Sequence, residues 1–208
     1  ADTTTQHRIY DYTKADGTSV ITPTAAQGAS KVLIGSPVTI STTTFVFTSG
    51  ITSTYDEYEI VIQDLTQTND NNTLFLRVST DAGSTYKSGA SDYGWIANST
   101  LSGTGTTSTS DAADSEIELI YNAANHQLGN SAAGSAIFTL RFFKPSDTSM
   151  NKHFHWNGSF IAGTSGVFVC VEGKGAYIGA TTAIDALQFT NGGGNMSGTA
   201  YLYGIKKA

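Results

Sequence analysis

The sequence is short of charge, proline and cysteine. Only 13% of its 208 residues are charged, against roughly 25% in a typical globular protein. The single cysteine, Cys170, allows no internal disulfide. It lies in the apolar run 167–171, so we expect it to be a buried small hydrophobic residue. Packing and hydrogen bonding must therefore stabilise the fold without covalent cross-links.

Basic clusters and long apolar runs are also missing. The net charge is −6 and the pI about 5.0, and the basic residues are scattered apart from Lys206 and Lys207. Clustered Lys and Arg bind phosphate backbones, so we expect no nucleic acid partner. No apolar run approaches the roughly 18 residues of a membrane span, and no signal peptide pattern is present. We therefore expect no membrane span.

The sequence does contain short apolar segments separated by Thr, Ser, Gly and Asn. Thr and aromatic residues fit a pleated sheet, whereas Gly, Asn and Ser fit turns. This pattern predicts an all-β fold, an antiparallel β-sandwich of jelly-roll type. The predicted strands are 31–35, 38–47, 57–65, 73–79, 86–97, 116–121, 136–144, 153–162, 167–172, 183–189 and 198–205. Two polar stretches, 98–114 and 122–134, are predicted to be loops that carry contact surfaces.

Residues 1–30 differ from the rest of the chain. They have few aliphatic side chains and cannot bury much apolar surface by themselves. We interpret them as an extended N-terminal arm that becomes ordered against a neighbouring subunit, rather than as a frayed terminus. The domain organisation is then an arm, 1–30, and a sandwich, 31–208. The candidate anchor residues form the strand-like part of the arm: Arg8, Ile9, Tyr10 and Tyr12.

The segment 79–86, S-T-D-A-G-S-T-Y, resembles the Asp-box of sialidase-like propellers, with Tyr in place of the final Trp. In that motif the Asp carboxylate holds loop amides and the Gly takes a positive φ. A single copy in a chain of this length does not indicate a propeller. We therefore interpret the segment as a structural turn.

His153 and His155 alternate along a predicted strand and so share one face, a geometry that can bind a transition metal. A site needs further ligands, and His7 and His126 are distant in sequence. A polar surface or a subunit contact is the interpretation we favour. No metal is predicted, and these two residues are the weak candidates.

Other residue types suggest chemistry without completing a site. Glu57 and Glu59 share a strand face, as do Glu116 and Glu118, which is typical of a solvated sheet face. Four aromatic residues could stack on sugar rings or fill the core: Trp95, Trp156, Tyr93 and Tyr177. No nucleophile elbow, phosphate loop or dinucleotide fingerprint is present. We predict no cofactor and no enzymatic activity.

From about residue 31 onward the chain resembles jelly-roll-like modules of tailed-bacteriophage virion proteins. The likeness depends on the order of several pieces, chiefly I-T-S-T-Y-D-E-Y at 51–58 and the closing L-Y-G-I-K at 202–206. It implies a virion structural component without enzymatic activity, commonly trimeric and bound to other virion proteins. Such a protein would lie on the virion surface after assembly in the host bacterial cytoplasm, where disulfides are rare.

Two placements on a virion compete. A capsid decoration or cement protein would use the arm, 1–30, to lie across capsid subunits. A tail-fibre or receptor-binding module would present the loops 98–114 and 122–134 to a host surface glycan. A glycan hydrolase is the outsider, since no paired carboxylates converge in the sequence pattern.

Overall fold

A computed structural model of the protein describes residues 31–206, apart from 121, 124 and 164. These residues form an antiparallel β-sandwich, which confirms the predicted fold class. The candidate anchor Arg8, Ile9, Tyr10 and Tyr12 lies outside the described residues. The strands are β1 (Lys31–Leu33), β2 (Val38–Ile40), β3 (Thr44–Phe47), β4 (Glu57–Gln67), β5 (Leu74–Ser79), β6 (Tyr93–Leu101), β7 (Gly105–Asp114), β8 (Ile117–Glu118), β9 (Ala136–Phe143), β10 (Lys152–Ile161), β11 (Phe168–Tyr177), β12 (Ala186–Asn191) and β13 (Met196–Ile205). A 3₁₀ turn, Ala132–Gly134, precedes β9.

The two sheets differ in size. The large sheet has nine strands in the order β1-β13-β4-β9-β10-β11-β6-β7, with β2 also paired to β13. The small sheet has four strands in the order β3-β12-β5-β8. All of these pairings are antiparallel. No helix in the described part of the chain is long and apolar enough to cross a membrane.

Alternating side chains build the core between the sheets. On β4, Tyr58, Ile60 and Ile62 are buried, as the sequence pattern predicts. The Tyr58 hydroxyl donates a hydrogen bond to the Thr52 carbonyl oxygen at 2.7 Å, so its polar end is satisfied. Tyr93 of the large sheet accepts a hydrogen bond from the Val78 backbone N–H of the small sheet at 2.9 Å. A buried tyrosine therefore joins the two layers.

The prediction of a loop at 98–114 is wrong. The strand β6 continues to Leu101, and β7 returns beside it after a tight turn that contains Gly103 at φ +80°. The side chains of β7 are nearly all exposed, so this strand has no alternating apolar pattern. Its order comes from backbone pairing to β6, whose Ala97 and Leu101 are buried.

Three predicted strands have different bounds because the chain crosses between sheets. The predicted strand 38–47 is split, since β2 pairs in the large sheet and β3 in the small sheet. The predicted strand 86–97 begins only at Tyr93, after a crossing from β5 that includes an Asp92–Gly89 turn. The predicted strand 116–121 is reduced to two residues, β8. Alternation alone cannot locate these crossings.

The prediction that Cys170 is buried is also wrong. Cys170 is exposed on β11, whereas its neighbours Val169 and Val171 are buried. Successive residues of a strand point to opposite faces, so an apolar run of five cannot be buried throughout when only one face meets the core. The thiol therefore lies on the outer face of the large sheet.

Candidate interaction surface

The outer face of the large sheet is a regular surface that spans its paired strands. We define it by the side chains that point away from the core on β1, β13, β4, β9, β10, β11, β6 and β7. Their register forms continuous rows across the sheet. One such row is Leu33, Tyr203, Glu59, Arg141, His155, Lys174, Ile96 and Ser110.

Ion pairs connect the central strands of this face. Arg141 Nε donates to Glu59 Oε2 at 3.0 Å, and its Nη1 lies 3.2 Å from Glu57 Oε1. Lys31 also pairs with Glu59 and lies over the ring of Tyr203, 4.1 Å from the centroid. Burial of the Glu59 carboxyl opposes ionisation, but hydrogen bonds from Lys31 and Arg141 outweigh it and lower its pKa. The sequence pattern predicts solvated glutamates on this face. Glu59 is instead only 6% exposed, and its charge is balanced by Lys31 and Arg141.

Two shallow depressions adjoin one another on the same face. One, of about 480 Å³, lies over β9, β10 and β11 and includes Thr139 and Cys170. The other, of about 420 Å³, lies over β10, β11 and β6 and includes His155. Asn157 and Glu172 line both depressions. Together they form a shallow groove that runs across four strands and is lined by both polar and apolar side chains.

Exposed apolar side chains are distributed over the outer face. Four of the six large exposed apolar residues found among the described residues belong to the outer face: Leu33, Ile96, Ile137 and Phe168. Their exposed fractions range from 44% to 53%. Apolar side chains that recur on one face among polar ones are typical of a surface that another molecule covers.

The two candidate histidines share the outer face of β10, as predicted. His155 has cationic and aromatic neighbours. It lies opposite Arg141 and Lys174, and the centroids of its ring and the Phe143 ring are 5.1 Å apart. Burial, followed by the charge of Lys174, lowers the pKa of His155. In the part of the chain that the structure describes, no group of three His, Cys, Asp or Glu side chains is arranged to hold a metal. The pair is thus brought together without a third ligand from those residues.

The four aromatic residues that could have stacked on sugars belong to the core. Trp95, Trp156, Tyr93 and Tyr177 are all at most 7% exposed. Trp156 Nε1 donates to the Leu119 carbonyl oxygen at 3.1 Å, which fixes the indole inside. They are therefore not available as platforms on the surface.

A different aromatic pair, Tyr201 and Tyr203, lies on the outer face of β13. Their rings stack with centroids 6.3 Å apart and an interplanar angle of 20°. The sequence pattern predicts this segment only as the last strand, 198–205. The alternation in A-Y-L-Y-G, with Leu202 buried, was the signal that could have identified the pair.

The segment at 79–86 forms a turn held by Asp81. The Asp81 carboxylate accepts hydrogen bonds from the Ser79 hydroxyl at 2.6 Å and the Thr85 backbone N–H at 2.9 Å. These bonds lower the pKa of Asp81 to about 2. Gly83 has φ +82°, as the motif requires. The turn does not close a hairpin, because the strands on either side, β5 and β6, belong to different sheets.

The second acidic pair, Glu116 and Glu118, lies directly before and at the end of β8, an edge strand of the small sheet. Arg77 Nη2 is 3.0 Å from Glu116 Oε2, whereas Glu118 Oε1 is buried without a hydrogen-bond partner in the described residues. Burial, reinforced by the charges of Asp114 and Glu116, raises the pKa of Glu118 to about 7. Neither of the two depressions on the outer face includes these carboxyls.

The geometry defines a β-sandwich with an ion-paired, partly apolar outer face. The chain matches no protein-family model, no curated protein and no solved structure.

Proposed function

We propose that the protein is a non-enzymatic structural component of a bacteriophage virion, and specifically a capsid decoration or cement protein. Its arm, residues 1–30, anchors it to the major capsid protein, and the sandwich lies on the virion surface. The observation that carries this proposal is the outer face of the large sheet, where apolar side chains are exposed on four different strands: Leu33, Ile96, Ile137 and Phe168. A surface of this kind suits contact with another protein.

The charged groups of the same face support a role without catalysis. Glycoside hydrolysis needs two carboxyls whose environments separate their pKa values across a cleft. On the outer face, Glu57 and Glu59 both pair with Arg141, and Lys31 adds a second cation to Glu59. The hydrogen bonds from Lys31 and Arg141 keep the pKa of Glu59 low despite its burial, so this carboxyl is poorly suited to donating a proton.

The resemblance to phage virion modules supports the choice of partner. Proteins of that kind are commonly trimeric, so we also propose a homo-oligomer. A trimer has heterologous contacts, in which one patch of a subunit meets a different patch of the next. The exposed apolar residues of the outer face are available for such contacts.

The test of the proposal is binding to phage heads that lack the protein. The full chain should cosediment with the heads, and a chain with Ile9→Asp and Tyr12→Asp should not. A chain with Ser53→Asp and Thr54→Asp, two exposed positions of the sandwich, is the matched control and should bind normally. Normal binding by the arm variant would contradict the anchor, and failure of the full chain to bind would contradict the placement on the capsid.

A receptor-binding module of a tail fibre is the second candidate, and the stacked pair of Tyr201 and Tyr203 favours it. Flat aromatic faces bind the apolar faces of sugars. In this case the purified protein should block adsorption of the phage to host cells. Tyr201→Ala with Tyr203→Ala should remove the block, whereas Phe168→Ala on the same face should not. No competition at saturating protein would rule this candidate out.

A further inference from the structure

In the described residues the two sheets have five edge strands, and β7 differs from the other four. The edges β1, β2, β3 and β8 have three, three, four and two residues, whereas β7 has ten. Natural sheets protect their edges by keeping them short or by placing Lys, Pro or bulges there. The strand β7, G-T-T-S-T-S-D-A-A-D, contains no Lys, Arg or Pro. It is thus a long edge without those protective residues.

Only the C-terminal part of β7 has protection. The Ala113 N–H donates to the Asp111 side chain at 2.9 Å, and Trp95 Nε1 donates to Asp114 Oδ2 at 2.9 Å. The register with β6 shifts at the same place. By contrast, residues 105–110 pair with β6 in an unbroken register. These six residues form a regular edge, which we call the open edge.

The open edge has backbone groups available for another strand. In an antiparallel pair, alternate residues direct both N–H and C=O away from the partner strand. No second strand from the described residues pairs with β7. All side chains of the open edge are exposed except that of Thr109, which is half-buried. Both faces are therefore open to an approaching strand.

We propose that the open edge pairs with the β7 strand of a second copy of this chain, antiparallel and about a twofold axis near residue 107 or 108. The pairing would join two nine-stranded sheets into one continuous sheet, a self-complementary contact. It places Ser and Thr opposite Ser and Thr, pairs that hydrogen-bond across strands.

The charged side chains of β7 are compatible with a second copy of this chain as the partner. Antiparallel pairing about residue 107 or 108 places Asp111 of one copy opposite Gly103 or Gly105 of the other, which carry no charge. Asp114 falls beyond the open edge of the partner. No two carboxylates are thus directly opposed, although each copy has a net charge of −6. The contact is independent of the proposed function.

The first experiment measures the mass of the full chain by sedimentation over a concentration series. The variant Thr106→Lys with Ser108→Lys places like charges opposite one another in either register, and self-association should weaken at least about tenfold. At concentrations between the two dissociation constants, the mean particle mass should then fall toward half of the wild-type value. The matched control is Ser53→Lys with Thr54→Lys, two exposed positions between β3 and β4 that lie outside the outer face, and it should associate as the wild type does.

The second experiment identifies the register by disulfide formation in a Cys170→Ser chain. A single cysteine at Thr107 or at Ser108 should give a covalent dimer under oxidation, since one of them lies next to its own copy at the twofold axis. Ser110→Cys should not, because its own copy lies several residues away. A covalent dimer with the Lys variants behaving as stated would support the pairing.

Three results would overturn the proposal. The full chain could have the same mass at all concentrations as the β7 Lys variant, or the control could dissociate as much as that variant does. The third is failure of both cysteines, at 107 and 108, to cross-link. If the arm of a neighbouring copy bound the open edge instead, neither cysteine variant would cross-link, yet the wild-type chain would still have a mass above that of the monomer.

Discussion

The buried ammonium group of Lys152 donates a hydrogen bond to the carbonyl oxygen of Thr181 at 2.8 Å. It also donates to the carbonyl oxygen of Met150 at 2.6 Å, and the residue has no exposed surface. Lys152 points to the same side of β10 as Phe154 and Trp156, so a cation lies at the edge of the aromatic core. Burial lowers the pKa of Lys152, and the two carbonyl groups compensate part of the lost hydration.

Replacement of Lys152 by Met tests that compensation. The substitution keeps most of the apolar volume but leaves two carbonyl oxygens without their donor. We expect a loss of about 1–3 kcal/mol in the free energy of unfolding. Lys174→Met, an exposed lysine of the neighbouring strand, should change it by less than about 0.5 kcal/mol. Urea denaturation of the two variants gives the comparison, and equal effects would contradict a stabilising role for the buried ammonium.

The Glu118 carboxyl should make the fold less stable above neutral pH. Its pKa in the folded protein is about 7, above the ordinary value of 4.5. The folded state therefore binds more protons than the unfolded state between these values, and stability is lost as the pH rises from about 4.5 through about 7. Glu118→Gln should be more stable than the wild type by about 1–2 kcal/mol at about pH 8, once solvent screening is allowed for.

The same variant should differ little from the wild type at about pH 5, where the folded carboxyl is already protonated. Thermal melting at both pH values provides the measurement. A constant difference at the two pH values would show that the substitution acts through packing and not through ionisation.

The Asp81 carboxyl should have the opposite pH dependence. Hydrogen bonds from Ser79 and Thr85 lower its pKa to about 2, below the ordinary value of 3.8. Its contribution is present above about pH 4 and is lost as the pH falls toward about 2. Asp81→Asn should therefore be less stable than the wild type at neutral pH, with the difference shrinking in acid. Melting curves on both sides of this window decide the point, and a difference that persists at about pH 2 would contradict it.

Gly173 should not tolerate a methyl group. A Cβ at this position would overlap the ring of Trp156, which lies directly opposite on β10 and is held by its bond to Leu119. We expect Gly173→Ala to cost about 1–3 kcal/mol through overpacking. Gly94→Ala, on the adjacent strand β6, would place its Cβ at an ordinary 3.5 Å from its nearest neighbour. This control should be nearly neutral in the same denaturation experiment.

The sandwich could be predicted because most strands carry the alternating pattern that a half-buried sheet requires. The strand β4 is the clearest case, since Tyr58, Ile60 and Ile62 face the core. The strand β7 could not be predicted, because backbone pairing to β6 orders it and none of its side chains is fully buried. Low complexity and polarity predict a loop, yet Thr also fits an exposed strand.

The candidate surface was only partly predictable for a similar reason. Strand periodicity predicts that His153 and His155 share one face of a strand. It also predicts that Glu57 and Glu59 share one face of another strand. It could not show that Arg141, from β9, lies between the two glutamates, because that contact joins residues far apart in sequence. The side of the large sheet that packs against the small sheet also determines which aromatic residues are buried. Trp95 and Trp156 are on that side, whereas Tyr201 and Tyr203 are on the other.

The exposure of Cys170 offers an experimental handle. It is the sole thiol in the sequence, and it lies beside Ile137 in one of the depressions of the outer face. A maleimide dye should therefore attach at one defined position, with a stoichiometry of one per chain. Its fluorescence would respond when a binding partner covers that face, so the unmodified sequence already contains a site-specific reporter.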